Sequence, residues 1–329
     1  MVSAHFEFSI FIFNRFDKNT NVVKIQPMKL IKKLAMVLSV FGFCSAGGVF
    51  AKVADRQNVL SEYTLDKISS FITERIVLKD AEIDDAVDKI TQIRINTMPN
   101  LLSHAKDYEQ EACILESLYY MEIYERAAND SNRKDMREKM RLLMERNFAC
   151  IDSRKKCEIS EWLYQVAGDV TSYYMTRSVS ATLHYGFKVK SFYESAVKIN
   201  PVSPEGNISL GNWYFFAPGI FGGSNKKAEK CYKNAEKGSV ENEIDGEKFL
   251  AYEFLSQLYF ELKKSSLHNE YFEKFRNLGI GTREVKIAEK YNNNGQSYYQ
   301  YMRNKSSIDK ELPESEKDDA DKKKSNLKF

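Results

Sequence analysis

The feature that most constrains the fold is a helical pattern of apolar residues that continues with few interruptions from about residue 57 to 303. For example, Tyr108, Ala112 and Leu115 recur at three- and four-residue steps, which places them on one face of a helix. The chain holds only 15 glycines and 6 prolines in 329 residues, about half of their ordinary share. No stretch shows the alternation of a β-strand. The sequence therefore predicts an all-α protein.

Several amphipathic segments follow one another with short polar links. They lie at about residues 57–78, 83–97, 107–126, 133–149, 159–177, 179–199, 205–217, 225–237, 245–263, 266–277 and 282–303. Short links make consecutive helices antiparallel neighbours, so the alternatives are a helical bundle and an α-solenoid of stacked helix pairs. An internal repeat would favour the solenoid.

Such a repeat is present in the second half of the chain. The pattern Leu-small-x-x-Tyr occurs on a first helix, and the second helix carries an aromatic residue three positions before another core residue. The copies are Leu210-Gly211-x-x-Tyr214 with Tyr232 and Ala235, and Leu255-Ser256-x-x-Tyr259 with Phe272 and Phe275. A partial copy has Ala167-Gly168, Tyr193, Ala196 and Pro201. We therefore predict a solenoid of antiparallel helix pairs over residues 107–303, preceded by N-terminal helices at 52–106.

The repeat is longer than the ~34 residues of the plain helix-pair motif. The spacing is 39 residues from Tyr193 to Tyr232, and the excess matches an insert around residues 217–223. Pro218 and three glycines must interrupt the helix there, and Ser224 is placed to cap the next one. The aromatic residues at this insert are candidates for binding a ligand or partner, and their alternative role is to fill the end of their own helix pair. They are Trp213, Tyr214, Phe215, Phe216 and Phe221.

At these residues the chain resembles bacterial tetratricopeptide-repeat (TPR) proteins, and more narrowly the exported spirochaetal TPR proteins. The carrying segments are Tyr193-Glu194-Ser195-Ala196 through Asn200-Pro201, residues 210–218, Gly222-Gly223-Ser224 and Lys227-Ala228. One branch of that group is associated with tripartite ATP-independent periplasmic (TRAP) transporters. The resemblance covers about residues 159–277. It implies a TPR-like solenoid whose partner is a protein, such as a periplasmic solute-binding subunit. It is also compatible with a homo-oligomer.

Residues 28–51 have the arrangement of a secretory signal peptide. Lysines precede an apolar run that begins at Leu34, and small residues precede a cleavage site after Ala51. The alternatives are a retained membrane anchor and lipidation at Cys44, although the large residue before that cysteine departs from a lipobox. Residues 1–27 are interpreted as an over-extended N-terminus. We expect an exported protein of the periplasm or cell envelope.

Export would make the four cysteines of the mature chain relevant. Cys150 and Cys157 flank a polar link between two helices, and a disulfide between them is the favoured prediction. The alternatives are a bridge between Cys113 and Cys150, and four reduced thiols that include Cys231. No pair has C-x-x-C spacing and no histidine is adjacent, so the sequence indicates neither a metal site nor a thiol-redox motif.

Catalytic motifs are missing from the sequence. It has no G-x-S-x-G, H-E-x-x-H, P-loop or complete G-x-G-x-x-G pattern. The predicted function is therefore non-catalytic and cofactor-free: an exported helical-repeat protein that mediates protein–protein interaction or scaffolding. One alternative is a carrier that holds a small hydrophobic ligand in a cavity lined by Trp213 and Phe216, and another is an enzyme.

Charge excludes a dedicated nucleic-acid binder, because the formal net charge is only +3. Residues 1–51 hold six cations and two anions, so the remaining 278 residues carry a formal charge of −1. The tail at residues 304–329 is mixed in charge and nearly free of apolar residues, which predicts disorder.

Overall fold

A computed structural model describes residues 59–128, 132–175, 178–217, 219 and 222–299. These residues form eleven α-helices and one 3-10 turn, and none of them lies in a strand. The helices are α1 Glu62–Val77, α2 Ile83–His104, α3 Tyr108–Ala127, α4 Arg133–Asp152, α5 Glu161–Met175, α6 Val179–Ile199, α7 Pro204–Phe216, α8 Asn225–Asn242, α9 Asp245–Glu261, α10 Ser265–Asn277 and α11 Thr282–Asn293, with the 3-10 turn at Leu78–Asp80. The prediction of an all-α fold is confirmed.

The helices are arranged as stacked antiparallel pairs. Helices α3 with α4, α5 with α6, α7 with α8, and α9 with α10 pack together, and α3, α5, α7 and α9 also contact one another in order. The first helix of each pair therefore belongs to an inner layer, which is buried on most sides, and the second helix belongs to an outer layer. This is the predicted α-solenoid of antiparallel helix pairs.

A close contact between glycine and tyrosine recurs in two of the pairs. A Cβ atom on Gly168 would lie 2.3 Å from the Tyr193 ring, and one on Gly211 would lie 2.4 Å from the Tyr232 ring. In each pair the tyrosine hydroxyl donates to the side chain that follows the glycine, at 3.1 and 2.6 Å. Only glycine allows the two helices to approach this closely at the ring. The structural repeat thus includes Gly168, where the sequence pattern was partial.

Side-chain caps set the beginnings of five of these helices. Ser61, Asp107, Ser178, Ser203 and Ser224 each accept a hydrogen bond from a backbone N–H of the first turn that they precede. Such caps satisfy N–H groups that have no partner inside the helix. The predicted cap at Ser224 is confirmed.

Two helix ends differ most from the prediction. Helix α2 was expected to end at residue 97, but it continues through Pro99 to His104, and the Asn100 side chain donates to the Asn96 carbonyl oxygen in that turn. The last helix was expected to reach residue 303, but α11 ends at Asn293. Gly295 follows with a φ of 74°, a left-handed conformation that commonly terminates helices.

Candidate functional site

The structure divides the predicted aromatic site between the core and the surface. Trp213 and Phe216, at the end of α7, are only 7% and 6% exposed. Tyr214 and Phe215 are half-buried, and Phe221 lies outside the described residues. The four described side chains therefore do not form one open surface.

Phe215 and Phe216 pack against Tyr299, near the end of the described chain. The ring centroids are 4.9 and 5.4 Å from that of Tyr299. Tyr299 also stacks on Phe254 of α9 at 5.8 Å and donates its hydroxyl hydrogen to the Phe254 carbonyl oxygen at 3.0 Å. These rings attach the segment after α11 to α7 and α9, which favours the core-filling interpretation for Phe215 and Phe216.

Tyr214 is the member of the predicted set with the most polar surroundings. Its hydroxyl donates to Glu194 at 3.4 Å, and the ammonium groups of Lys190 and Lys227 lie 5.8 and 5.1 Å from its ring centroid. Burial, followed by the Glu194 charge, raises the pKa of Tyr214 to about 12, so the hydroxyl stays protonated at neutral pH. We call Tyr214, Glu194, Lys190 and Lys227 the rim cluster.

The inner layer of the solenoid is covered by the chain's own helix α1. Gly246 of α9 lies so close to α1 that a Cβ atom there would be 2.4 Å from the carbonyl oxygen of Ile72, and the Gly246 N–H donates to the Thr73 hydroxyl at 3.3 Å. From the other side, Arg126 of α3 donates to the Arg75 carbonyl oxygen at 2.8 Å. Helix α1 therefore contacts inner helices from both halves of the stack.

A buried ion pair joins the last turn of α1 to the first turn of α7. Arg75 Nη2 donates to Glu205 Oε1 at 2.6 Å, and the two side chains are 2% and 1% exposed. Burial alone would lower the pKa of Arg75, but the carboxylates of Glu205, Glu122 and Asp169 raise it above its ordinary value. Arg75 therefore stays charged, and the N-terminal end of the α7 dipole favours its anionic partner. The sequence prediction did not include this pair.

A polar network continues from this pair between α5 and α7. Gln165 Nε2 donates to Asp169 Oδ2 at 2.8 Å and to the Ser209 hydroxyl at 2.6 Å, and the Tyr193 hydroxyl donates to Asp169 at 3.1 Å. Burial, and then the Asp169 charge, raise the pKa of Tyr193 well above its ordinary value. Neighbouring inner helices are thus joined here by directional bonds, which fix their register more strictly than apolar contacts do.

A second buried acid lies near the 3-10 turn that follows α1. Glu253 of α9 is completely buried, and neither carboxyl oxygen has a hydrogen-bond partner among the described residues. Burial raises the pKa of Glu253 to about 8. The positive charge of Lys79 lowers this pKa, and the negative charge of Glu284 raises it. Lys79 Nζ is itself 3.7 Å from Glu284 Oε1. The Glu253 carboxyl is therefore largely protonated at neutral pH.

This acid predicts a measurable dependence of stability on pH. Because its folded-state pKa is above its ordinary value, stability is greatest below that ordinary value and declines as pH rises toward about 8. We expect Glu253→Gln to flatten the decline between pH 5 and pH 8 and to be more stable than the wild type at pH 8 by about 2–4 kcal/mol. Urea unfolding at pH 5, 6.5 and 8 measures this. Glu241→Gln, an exposed control, should keep the wild-type dependence of stability on pH. If Glu253→Gln also kept the wild-type dependence, the raised pKa of Glu253 would be contradicted.

An open cleft of about 390 Å³ lies at the C-terminal end of the solenoid. Its lining is formed by Tyr259, Phe260, Glu261, Lys263, Ser265, His268, Asn269, Gly295 and Ser297. His268 Nδ1 lies 2.9 Å from the Ser256 carbonyl oxygen. Because a carbonyl oxygen only accepts, Nδ1 carries the hydrogen of the neutral ring and Nε2 is left as an acceptor. The volume falls in the range of small-ligand sites.

None of the predicted site residues lines this cleft. Its residues come from the end of α9, the start of α10 and the segment after α11, which meet only in the folded chain. No sequence motif marks them. Arg75 did carry a signal, because it lies on the same helical face as the buried apolar residues Phe71 and Ile72.

The cysteines occupy different environments. Cys113 and Cys150 are completely buried, and the Arg154 guanidinium lies 2.9 Å from the Cys150 sulfur. Cys157 is exposed and Cys231 is buried, and all four are free thiols in this structure. The bridge between Cys150 and Cys157 stays a prediction.

Comparisons with known proteins give no family assignment. No protein-family model, curated protein or solved structure matches this chain. Among the described residues, none of the helices has the length and apolar character to cross a membrane, and no group of His, Cys, Asp and Glu side chains is arranged as a metal site.

Proposed function

We propose that this chain is a non-catalytic, TPR-like scaffold that binds another protein. The observation that carries the proposal is the repeated contact of Gly168 with Tyr193 and of Gly211 with Tyr232 inside stacked helix pairs. Stacks of this kind present long, rigid surfaces to partners. The TPR resemblance of residues 159–277 adds support from the sequence.

The proposed location is the bacterial envelope. It is supported by the signal-peptide pattern of residues 28–51, which lie outside the described residues. The transporter-associated resemblance makes a periplasmic solute-binding subunit the first partner to test. A second copy of this chain is the other protein partner that the proposal includes.

The rim cluster around Tyr214 is the proposed contact surface. Helix α1 covers the inner layer, so a partner that binds the folded chain must use another face. Tyr214 is half-buried and held between Lys190 and Lys227. A tyrosine ring fixed by its neighbours can bury a large area at low entropic cost, which is why tyrosine is frequent at binding hot spots.

Photo-crosslinking in intact cells tests this proposal. A photoreactive phenylalanine derivative is placed at Tyr214, and a control is placed at Leu142 of α4, which is 50% exposed. We expect one defined protein adduct from the Tyr214 position and none from Leu142, followed by identification of the trapped protein by mass spectrometry. Equal labelling at both positions, or no adduct at Tyr214, would refute the assigned surface.

A carrier of a small ligand is the second candidate, and the C-terminal cleft is the observation that favours it. Tyr259 and Phe260 form an aromatic wall of the cleft, and Nε2 of His268 is a hydrogen-bond acceptor in its lining. The sequence predicted a cavity lined by Trp213 and Phe216, but neither residue lines this cleft. Native mass spectrometry of the purified chain separates the candidates, because a carrier retains a small molecule that Phe260→Ala releases.

A further inference from the structure

Two cysteines face each other across the first helix pair. Asn147 of α4 donates to the Ser117 hydroxyl of α3 at 3.0 Å, which fixes the register of these antiparallel helices. Cys113 lies one turn before Ser117, and Cys150 lies about one turn after Asn147. In an antiparallel pair these two shifts run in the same direction, so the two cysteines are opposite each other.

The two cysteines belong to the same buried core. Both side chains are 0% exposed, and each thiol shifts the pKa of the other. The Arg154 guanidinium lies 2.9 Å from the Cys150 sulfur and is anchored by two bonds to Asp107, at 2.7 and 2.8 Å. A thiolate on Cys113 is the nucleophile that disulfide exchange requires.

We propose that Cys113 and Cys150 form a disulfide that staples α3 to α4 when the chain folds in the presence of a small disulfide oxidant such as oxidised glutathione. The Cys113 thiolate attacks one sulfur of the oxidant, forms a mixed disulfide and releases one glutathione thiolate. The Cys150 thiolate then attacks the Cys113 sulfur and releases the second glutathione. The two cysteine protons pass to the two glutathione thiolates, and the two electrons lost by the cysteines reduce the oxidant.

The disulfide would reinforce the α3–α4 pair, which has no glycine–tyrosine contact of this kind. It closes the loop of residues 113–150 and so reduces the freedom of the unfolded chain. Because both sulfur atoms are buried in the folded chain, exchange takes place during folding, before the pair closes. The inference is independent of the proposed partner, although export would supply an oxidising compartment.

Peptide mapping tests the pairing directly. The full chain is reduced, unfolded and refolded with mixed reduced and oxidised glutathione, and free thiols are then blocked with N-ethylmaleimide. Arg154, Lys155 and Lys156 separate Cys150 from Cys157, so trypsin places the two cysteines on different peptides. We expect the peptide of Cys113 joined to that of Cys150, with Cys157 and Cys231 blocked. A peptide joining Cys150 to Cys157, or a map in which Cys113 and Cys150 are both blocked, would overturn the proposal.

Thermal unfolding supplies a second readout. The oxidised wild type is expected to melt about 5 °C above the reduced wild type. Cys157→Ser should keep this difference, whereas Cys113→Ser should abolish it. A difference that survives in Cys113→Ser and disappears in Cys157→Ser would assign the bridge to the other pair. The mapping of the wild type decides the pairing even if Cys113→Ser fails to fold.

Discussion

Replacing Arg75 with methionine is expected to destabilise the protein by about 3–5 kcal/mol. The substitution keeps much of the side-chain volume but leaves the Glu205 carboxylate buried, at 1% exposure, without the cation that lies 2.6 Å from it. An unpaired charge in the interior costs far more than the pair contributes when intact. Urea unfolding followed by the helical circular dichroism signal measures the loss.

A double variant separates the charge from the packing. Arg75→Met combined with Glu205→Gln removes both charges, so we expect the double variant to lose less stability than Arg75→Met alone. The control is Arg276→Met, which removes an exposed guanidinium paired with Glu273 and Glu289 and should cost less than about 1 kcal/mol. If Arg75→Met were as mild as the control, the pair would not hold α1 to α7.

The helices and their pairing could be predicted from the sequence because both depend on local patterns. A three- and four-residue apolar period sets each helix, and short links set antiparallel neighbours. The position of α1 depends instead on contacts between residues far apart in the chain. Asp80 accepts hydrogen bonds from the backbone N–H groups of Thr282 and Arg283, at 2.9 and 2.7 Å. No local pattern links these residues, so the sequence could not predict that the N-terminal segment reaches the last helix.

The candidate site shows the same limit. The sequence identified an unusual number of aromatic residues near the α7–α8 link, but the packing of Phe215 and Phe216 depends on Tyr299, which comes from beyond α11. Likewise, Gln165 and Asp169 could be placed on one helical face, but their hydrogen-bonding to Ser209 follows from the stacking of α5 on α7. Residue types were predictable, and their partners were not.

Helix α1 changes how the solenoid can work. It is tied to α7 by Arg75, to α9 by Thr73 and, through Asp80, to α11. An open stack of helix pairs exposes its inner layer to ligands. In this chain, helix α1 covers the inner layer. The proposed partner is therefore expected to bind at the rim or the ends, where Tyr214 and the C-terminal cleft lie.

Gly246→Ala is expected to loosen α1 and to lower stability by about 2–3 kcal/mol. The new methyl carbon would lie 2.4 Å from the carbonyl oxygen of Ile72 and 2.8 Å from the Cα atom of Thr73. Both are backbone atoms, so the contact can be relieved only by moving α1 away from α9. Hydrogen exchange measured by mass spectrometry should show faster exchange in peptides of α1 than in the wild type, with little change in α4.

The sign of this effect makes the test decisive. Within a helix, alanine is favoured over glycine by about 1 kcal/mol, so without the contact to α1 the same substitution would stabilise α9. Gly219→Ala, outside the α-helices, is the control, because a Cβ atom there meets no atom of the described residues within 4 Å. A Gly246→Ala variant at least as stable as the wild type, with unchanged exchange in α1, would show that α1 does not lie against α9. Lower stability with faster exchange confined to α1 would show that this helix is held on the inner layer by close backbone contact.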